Sequence, residues 1–255
     1  MKAAFTDHFS RDSQAYANFR PRYPEPLFRW LAGLPARRAV AWDCGTGSGQ
    51  AATMLNPHFE RVMASDASAA QLKAAERHAG VHYFAATAES SGLQSGAVDL
   101  VTVAQAFHWF DQPKFYSEVD RIIASGGALA VWCYTSLIVG PEIDTVIERF
   151  YEETIGDYWP AERIHVDRGY RDYQIPIDEV PMPRLVIQGT LALPGLLGFI
   201  RTWSAVGRYI SANRIDPVDE LGRELTPLWG NPETLRPITW PIFMRAGRWK
   251  GTTRG

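Results

Sequence analysis

The stretch VAWDCGTGSGQAA, Val40 to Ala52, joins an apolar run to three alternating glycines, Gly45, Gly47 and Gly49. An acid, Asp43, stands two residues before the first of them. The apolar run reads as a buried strand, the glycines as a tight turn, and the residues from Gly49 to Leu55 as a helix. Further short β-branched or aromatic runs follow the first, at 38–43, at 61–66, 81–86, 98–104 and 127–133. Between them Ser68–His78 and Pro113–Ala124 carry helical patterns, with Ser68 as an N-cap and the SGG at 125–127 as a stop. Strand and helix alternating at this spacing predicts right-handed crossovers and an α/β, doubly wound, mostly parallel sheet covered on both faces.

Outside this core the pattern changes. Residues 1–37 form a polar-aromatic leader, broken by Pro21, Pro24 and Pro26, with Pro26–Leu34 expected as a helix and the whole as an N-terminal lid. Residues 141–156 are strongly helical, and 157–183 are irregular and crowded with aromatics, prolines and arginines, so 140–183 is expected to be a cap insertion. A strand at 184–193, helices at Pro194–Ser211 and Pro217–Trp229, and a last strand at 237–247 complete the chain. No repeat or linker marks a second unit. The expectation is one domain over 1–255, with 38–135 as the cofactor-binding core and 184–255 as the C-terminal part of the sheet. Six parallel strands and an antiparallel seventh are expected.

Bulk properties narrow the function. An apolar content of 46% with mixed charge fits a globular protein. The formal charge of −2 argues against a partner bound through its phosphates, such as a nucleic acid. No run approaches the ~20 apolar residues that span a bilayer, and the N-terminus has no signal-peptide pattern. The two cysteines, Cys44 and Cys133, read as buried reduced thiols, and a cytoplasmic location is expected. The histidines and cysteines show no metal-ligand spacing, so no metal is expected.

The glycine turn lies where an open parallel sheet binds its ligand, beyond the carboxyl ends of the strands. Read from Gly47, GSGQAA matches the dinucleotide fingerprint, whereas the reading from Gly45 fails at Gln50. Asp43 speaks against a dinucleotide, because a carboxylate at the mouth of the turn repels a pyrophosphate. S-adenosylmethionine carries a sulfonium and an ammonium and no phosphate, so the same carboxylate attracts it, directly or through water. Asp66, at the end of the second strand, can accept both hydroxyls of a ribose, or can be a simple turn former.

The motifs AWDCGTGSGQ, ASDAS, TAES (87–90) and VAQAFHWFD (103–111) occur in order at successive strand ends. Together they resemble the class I S-adenosylmethionine-dependent methyltransferases, and within them the small-molecule branch that includes trans-aconitate methyltransferase and related carboxyl methyltransferases. The leader YANFRPRYP, with Tyr16 and Arg20, and the later RTWSAVGRY and TWPIFMRAGRW are similar too, so the resemblance spans nearly the whole chain. It implies that Gly45, Gly47 and Gly49 line the methionine portion of the donor and Asp66 its ribose. It further implies that Ala88 and Glu89 flank the adenine, that Gln105 sits near the transferable methyl, and that Tyr16 and Arg20 fold over the cofactor. Thr87 departs from the pattern, since many relatives carry an acid there.

Methyl transfer needs an acceptor aligned behind an already activated methyl group, which is a task of proximity and orientation. His108 and Trp109 follow the fourth strand, where acceptor and methyl should meet. His108 is the candidate base or acceptor-positioning group, with a packed loop histidine as the plain alternative. Trp109 is a candidate substrate contact or a core aromatic. Trp159, Arg163 and Arg168, within an arginine-rich stretch, are candidate contacts for an anionic acceptor, against a solvated charge run. The reading is a methyltransferase acting on a small molecule, at oxygen and possibly at a carboxylate. The alternatives are a non-catalytic S-adenosylmethionine-binding protein and, more remotely, a nicotinamide oxidoreductase.

Overall fold

A computed structural model describes residues 21–252. Tyr16 and Arg20 therefore lie outside the described residues, as does most of the expected lid. The described chain begins with α1 (Glu25–Leu31). The alternating core then runs β1 (Val40–Cys44), α2 (Gln50–Leu55), β2 (Arg61–Asp66), α3 (Ala69–Ala74), β3 (Val81–Ala85), β4 (Val98–Ala104), α4 (Gln112–Ile122) and β5 (Ile123–Tyr134). There follow α5 (Pro141–Arg149), α6 (Arg163–Asp167), β6 (Ile177–Glu179), β7 (Val186–Leu191), α7 (Leu193–Arg201), α8 (Ser204–Asn213), α9 (Val218–Trp229) and β8 (Arg236–Trp249).

The sheet order is β3-β2-β1-β4-β5-β8-β6, with β7 also on β8. Strands β1 to β5 are mutually parallel, and β8 runs antiparallel to β5, β6 and β7. All five residues of β1 are buried, as a central strand covered on both faces requires. One face carries Leu27, Phe28, Leu55, Phe199, Leu225 and Trp229 from the helices. The other carries Phe107, Phe115, Val119 and Tyr170. Ser68 caps α3 by accepting from the Gln71 amide at 3.4 Å, as its position predicts.

Four expectations are corrected. The sheet has eight strands, because β6 forms within the stretch expected as an irregular insertion and pairs with the end of β8. The SGG at 125–127 is no stop: α4 ends at Ile122, and β5 runs through the glycines with a register irregularity opposite Val98–Leu100. The helix expected over 141–156 narrows to α5, then widens into a π turn at 150–154. The helix expected over Pro194–Ser211 breaks at Thr202–Trp203. Trp203 is extended there and buries its ring edge-on against Tyr151 and Phe199, at centroid distances of 5.7 and 6.1 Å. That burial decides against a continuous helix.

Candidate active site

The first parallel strands deliver the site. The turn after β1 has Gly45, Gly47 and Gly49 at φ of 67°, 56° and 85°, a region costly for any residue with a Cβ. A Cβ on Gly45 would lie 2.7 Å from that of Ala106, on the loop after β4. The turn is pinned to β2 twice: the Thr46 amide donates to the Ser65 carbonyl at 2.9 Å, and the Gly47 amide donates to Asp66 Oδ2 at 2.8 Å. Asp66 Oδ1 accepts from the Ser68 amide at 2.8 Å, so this carboxylate is aimed by backbone donors on both sides. A cavity opens above, walled by Gly45, Gly47, Asp66, Gln105, Trp109 and Tyr134, with Tyr23 at its side.

Asp43 does not reach this wall. It is 1% exposed, beneath the turn, and accepts from Thr46 Oγ1 at 2.6 Å and Thr102 Oγ1 at 2.8 Å. Burial pushes its carboxyl up from 3.8 to about 6, against the opposing pull of those two hydroxyls. Asp43 was expected to attract a sulfonium directly or through water; in the structure it lies beneath the turn and shapes it from below. Gly49 is also off the wall. A Cβ there would collide with the Tyr83 hydroxyl, so its glycine serves the packing of the turn on β3. Ala88 is 6% exposed, within the core, and Glu89 accepts from the Asp111 amide at 3.0 Å. Neither lines the cavity.

Gln105 lines a second cavity as well as the first. It is one of three non-glycine residues with positive φ among the described residues, at 59°. Its amide donates to the Trp132 carbonyl and its Nε2 to the Tyr134 carbonyl, both at 2.9 Å, which holds the strained backbone over β5. The second cavity shares Gln105, Trp109 and Tyr134 with the first and adds His108, Trp159, Arg163 and Trp203. Its Trp203 wall is the break between α7 and α8.

His108 sits in this second wall, and its Nδ1 lies 3.0 Å from the Tyr170 hydroxyl. Burial, then the nearby Arg163 and His165, push its imidazole down from 6.5 to about 3. At that level the imidazole is a weak base near neutral pH, while its ring nitrogens can still hydrogen-bond. Arg163 lies on the Trp159 ring, 4.6 Å from its centroid, and its Nε donates to the Tyr151 hydroxyl at 2.8 Å and Asp167 at 3.1 Å. Arg168 points elsewhere, pairing with Asp172 at 3.4 Å on the exposed side of α6. It does not line either cavity.

A far larger groove, of about 930 Å³ against about 80 and 50 Å³ for the two cavities, lies beside β6 and β8. It contains no part of the glycine turn, and its Arg245 is paired with Glu179. Size alone would have chosen it; the convergence of strand ends, bare glycines and a donor-held carboxylate does not. Among the described residues no three metal-ligating side chains gather, and no helix is long and apolar enough to cross a membrane. Thr46, Thr102, Tyr134, Tyr170 and Trp203 were not singled out in the sequence. Thr102 is found only through strand register, opposite Asp43, and Trp203 only through the helix break.

Comparisons with known proteins converge on one family. Residues 42–131 match the family described as "Methyltransferase domain". A protein of Dictyostelium discoideum named as a methyltransferase is 32% identical over 247 residues, covering 94% of each chain. A Saccharomyces cerevisiae protein named as an S-adenosylmethionine-dependent methyltransferase is 30% identical over 48% of this chain and 45% of its own. A solved structure described as a type II methyltransferase, from Anaeromyxobacter dehalogenans, is 43% identical, with a TM-score of 0.84 over 90% of this chain and 98% of that one. The lining of the first cavity suits a nucleoside: Gly45 and Gly47 bare the backbone, and Asp66 presents a carboxylate at the end of β2.

Proposed function

The chain belongs to the class I S-adenosylmethionine-dependent methyltransferases, and on that premise we propose that it methylates an oxygen of a small molecule seated in the second cavity. The observation that carries this is the shared wall, Gln105, Trp109 and Tyr134, between the glycine-turn cavity and the aromatic cavity beyond it. When bound, S-adenosylmethionine supplies a methyl group on a cationic sulfur, with a neutral thioether as leaving group. Gly45 and Gly47 would hold its methionine portion against bare backbone, and the Asp66 carboxylate would accept the ribose hydroxyls. Gln105, Trp109 and Tyr134 would frame the opening through which the methyl faces the acceptor and keep water from it. Trp109 also presents an aromatic face suited to a sulfonium.

The second cavity favours a carboxylate as acceptor. His108, in its wall, has its imidazole pushed down to about 3 by burial, which makes it a weak base near neutral pH. An acceptor oxygen that arrives already ionised needs no base. His108 would position that oxygen by a hydrogen bond. Arg163, whose terminal nitrogens have no hydrogen-bond partner among the described residues, would supply charge-assisted donors. The test is transfer from methyl-labelled S-adenosylmethionine to a panel of carboxylic acids and their preformed esters. Labelled ester from the acids, and no product from the esters, supports the reading. Methyl transfer confined to amines, or to a macromolecule, would overturn it, and binding of the donor without transfer to any acceptor would favour the non-catalytic alternative.

A further inference from the structure

We infer that Tyr170 is a positioning residue that fixes the tautomer of His108, placing the ring proton on Nε2 and making His108 a hydrogen-bond donor toward the acceptor cavity. The inference rests on the reading of the second cavity as the acceptor site. Tyr170 is fully buried, and its hydroxyl has one hydrogen-bond partner among the described residues, His108 Nδ1 at 3.0 Å. A phenol has a single O–H to give, and a neutral imidazole has one N–H and one lone pair. Were Nδ1 the protonated nitrogen, it would donate to the phenol oxygen and strand the phenol O–H in the core without an acceptor. That arrangement is disfavoured by roughly tenfold or more. The phenol therefore donates, Nδ1 accepts, and the ring proton sits on Nε2, which has no partner among the described residues.

The fold holds Tyr170 in place with some effort. Its backbone is left-handed, with φ of 59°, directly after the left-handed Gly169. Its amide donates to the His165 carbonyl at 2.8 Å and its carbonyl accepts from Arg245 Nη1 at 3.3 Å. Arg245 is itself clamped by both oxygens of Glu179, at 2.5 and 2.8 Å. The Tyr170 ring stands edge-on to Phe107, centroids 5.5 Å apart, in the residue next to His108. A non-glycine residue keeps such a conformation only where its surroundings over-determine it. Here they turn one hydroxyl onto one ring nitrogen. The arrangement suits an acceptor oxygen that is already anionic, since an Nε2–H can donate to that oxygen and has no lone pair with which to take a proton from it.

The test needs no acceptor. In the full chain with S-adenosylhomocysteine bound and histidine labelled with nitrogen-15, the His108 ring is expected to show one tautomer, Nε2 protonated and Nδ1 bare. In Tyr170→Phe the His108 signals are expected to move toward a tautomer mixture, with the other histidines unchanged. If Tyr170→Phe fails to fold, 3-fluorotyrosine incorporated in place of tyrosine strengthens the phenol as a donor and is expected to shift the Nδ1 signal. A protonated Nδ1 in the unaltered protein, an unchanged tautomer in Tyr170→Phe, or an unmoved Nδ1 with fluorotyrosine would overturn the inference. Failure to find any methylated acid would overturn the acceptor reading and leave the tautomer assignment standing.

Discussion

Replacing Asp43 by asparagine should change the pH dependence of stability in a direction opposite to ordinary surface carboxylates. Asp43 lies 1% exposed beneath the glycine turn, and burial outweighs its two threonine hydroxyl donors, raising its carboxyl from 3.8 to about 6. A carboxyl whose folded value is raised binds more protons in the folded chain than in the unfolded one between those two values. Its contribution to stability is then fully present below 3.8 and is lost as pH rises through about 6. A shift of about two pH units, at about 1.4 kcal/mol each, makes the ionised group cost about 3 kcal/mol at neutral pH. Asparagine keeps the size and one acceptor, and its amide can donate to the Thr46 or Thr102 hydroxyl. Urea unfolding of the cofactor-free proteins at several pH values isolates this group, because every other carboxyl is common to both chains. Between pH 4.5 and 7.5 the stability of Asp43→Asn relative to the parent is expected to rise by about 2 kcal/mol. A difference that stays flat across that range, or falls, would refute the argument that burial dominates the site.

Three other outcomes follow from the geometry. Gly49→Ala combines a positive φ with a Cβ that would collide with the Tyr83 hydroxyl, so unfolding measurements should show a loss of about 2–4 kcal/mol. Adding Tyr83→Phe should restore part of that loss, and no recovery would mean the conflict lies elsewhere. With its imidazole pushed down to about 3, His108 should contribute no inflection to the pH profile of turnover between pH 5.5 and 8. A limb near 6.5 that disappears in His108→Gln would show that the ring does titrate in the working enzyme. Arg163→Gln should weaken an acidic acceptor by about 1.5–3 kcal/mol in kcat/KM, the scale of a hydrogen bond to a charged group, with little change in the KM for S-adenosylmethionine. An equal loss for acidic and neutral acceptors would assign Arg163 to holding α6 through Tyr151 and Asp167.

The alternating core, the turn and the donor were legible in the sequence because they depend on local rules. A strand announces itself by apolar runs, a tight turn by glycines, and a strand-end acid by its place after the run. Val40–Ala52 and Asp66 carry that information within a few residues each. What the sequence misplaced depended on contacts between distant residues. Asp43 was read as attracting the donor, directly or through water, because it stands beside the glycines; only the register that sets it opposite Thr102 shows it turned under them. Gly49 looked equivalent to Gly45 and Gly47 until Tyr83, from another strand, was seen against it. The second cavity was least legible, since its walls come from the loop after β4, from α6 and from the Thr202–Trp203 break. Periodicity continued a helix through that break because pattern reports local preference, and the burial of Trp203 against Tyr151 is a tertiary energy. By itself, then, the sequence determined the parallel core of the sheet, the glycine turn and the family, each a matter of short-range pattern. The tertiary structure alone decided that Asp66 lines the first cavity while Asp43 lies beneath it, and that burial pushes the His108 imidazole down, because desolvation and shape exist only once remote segments meet.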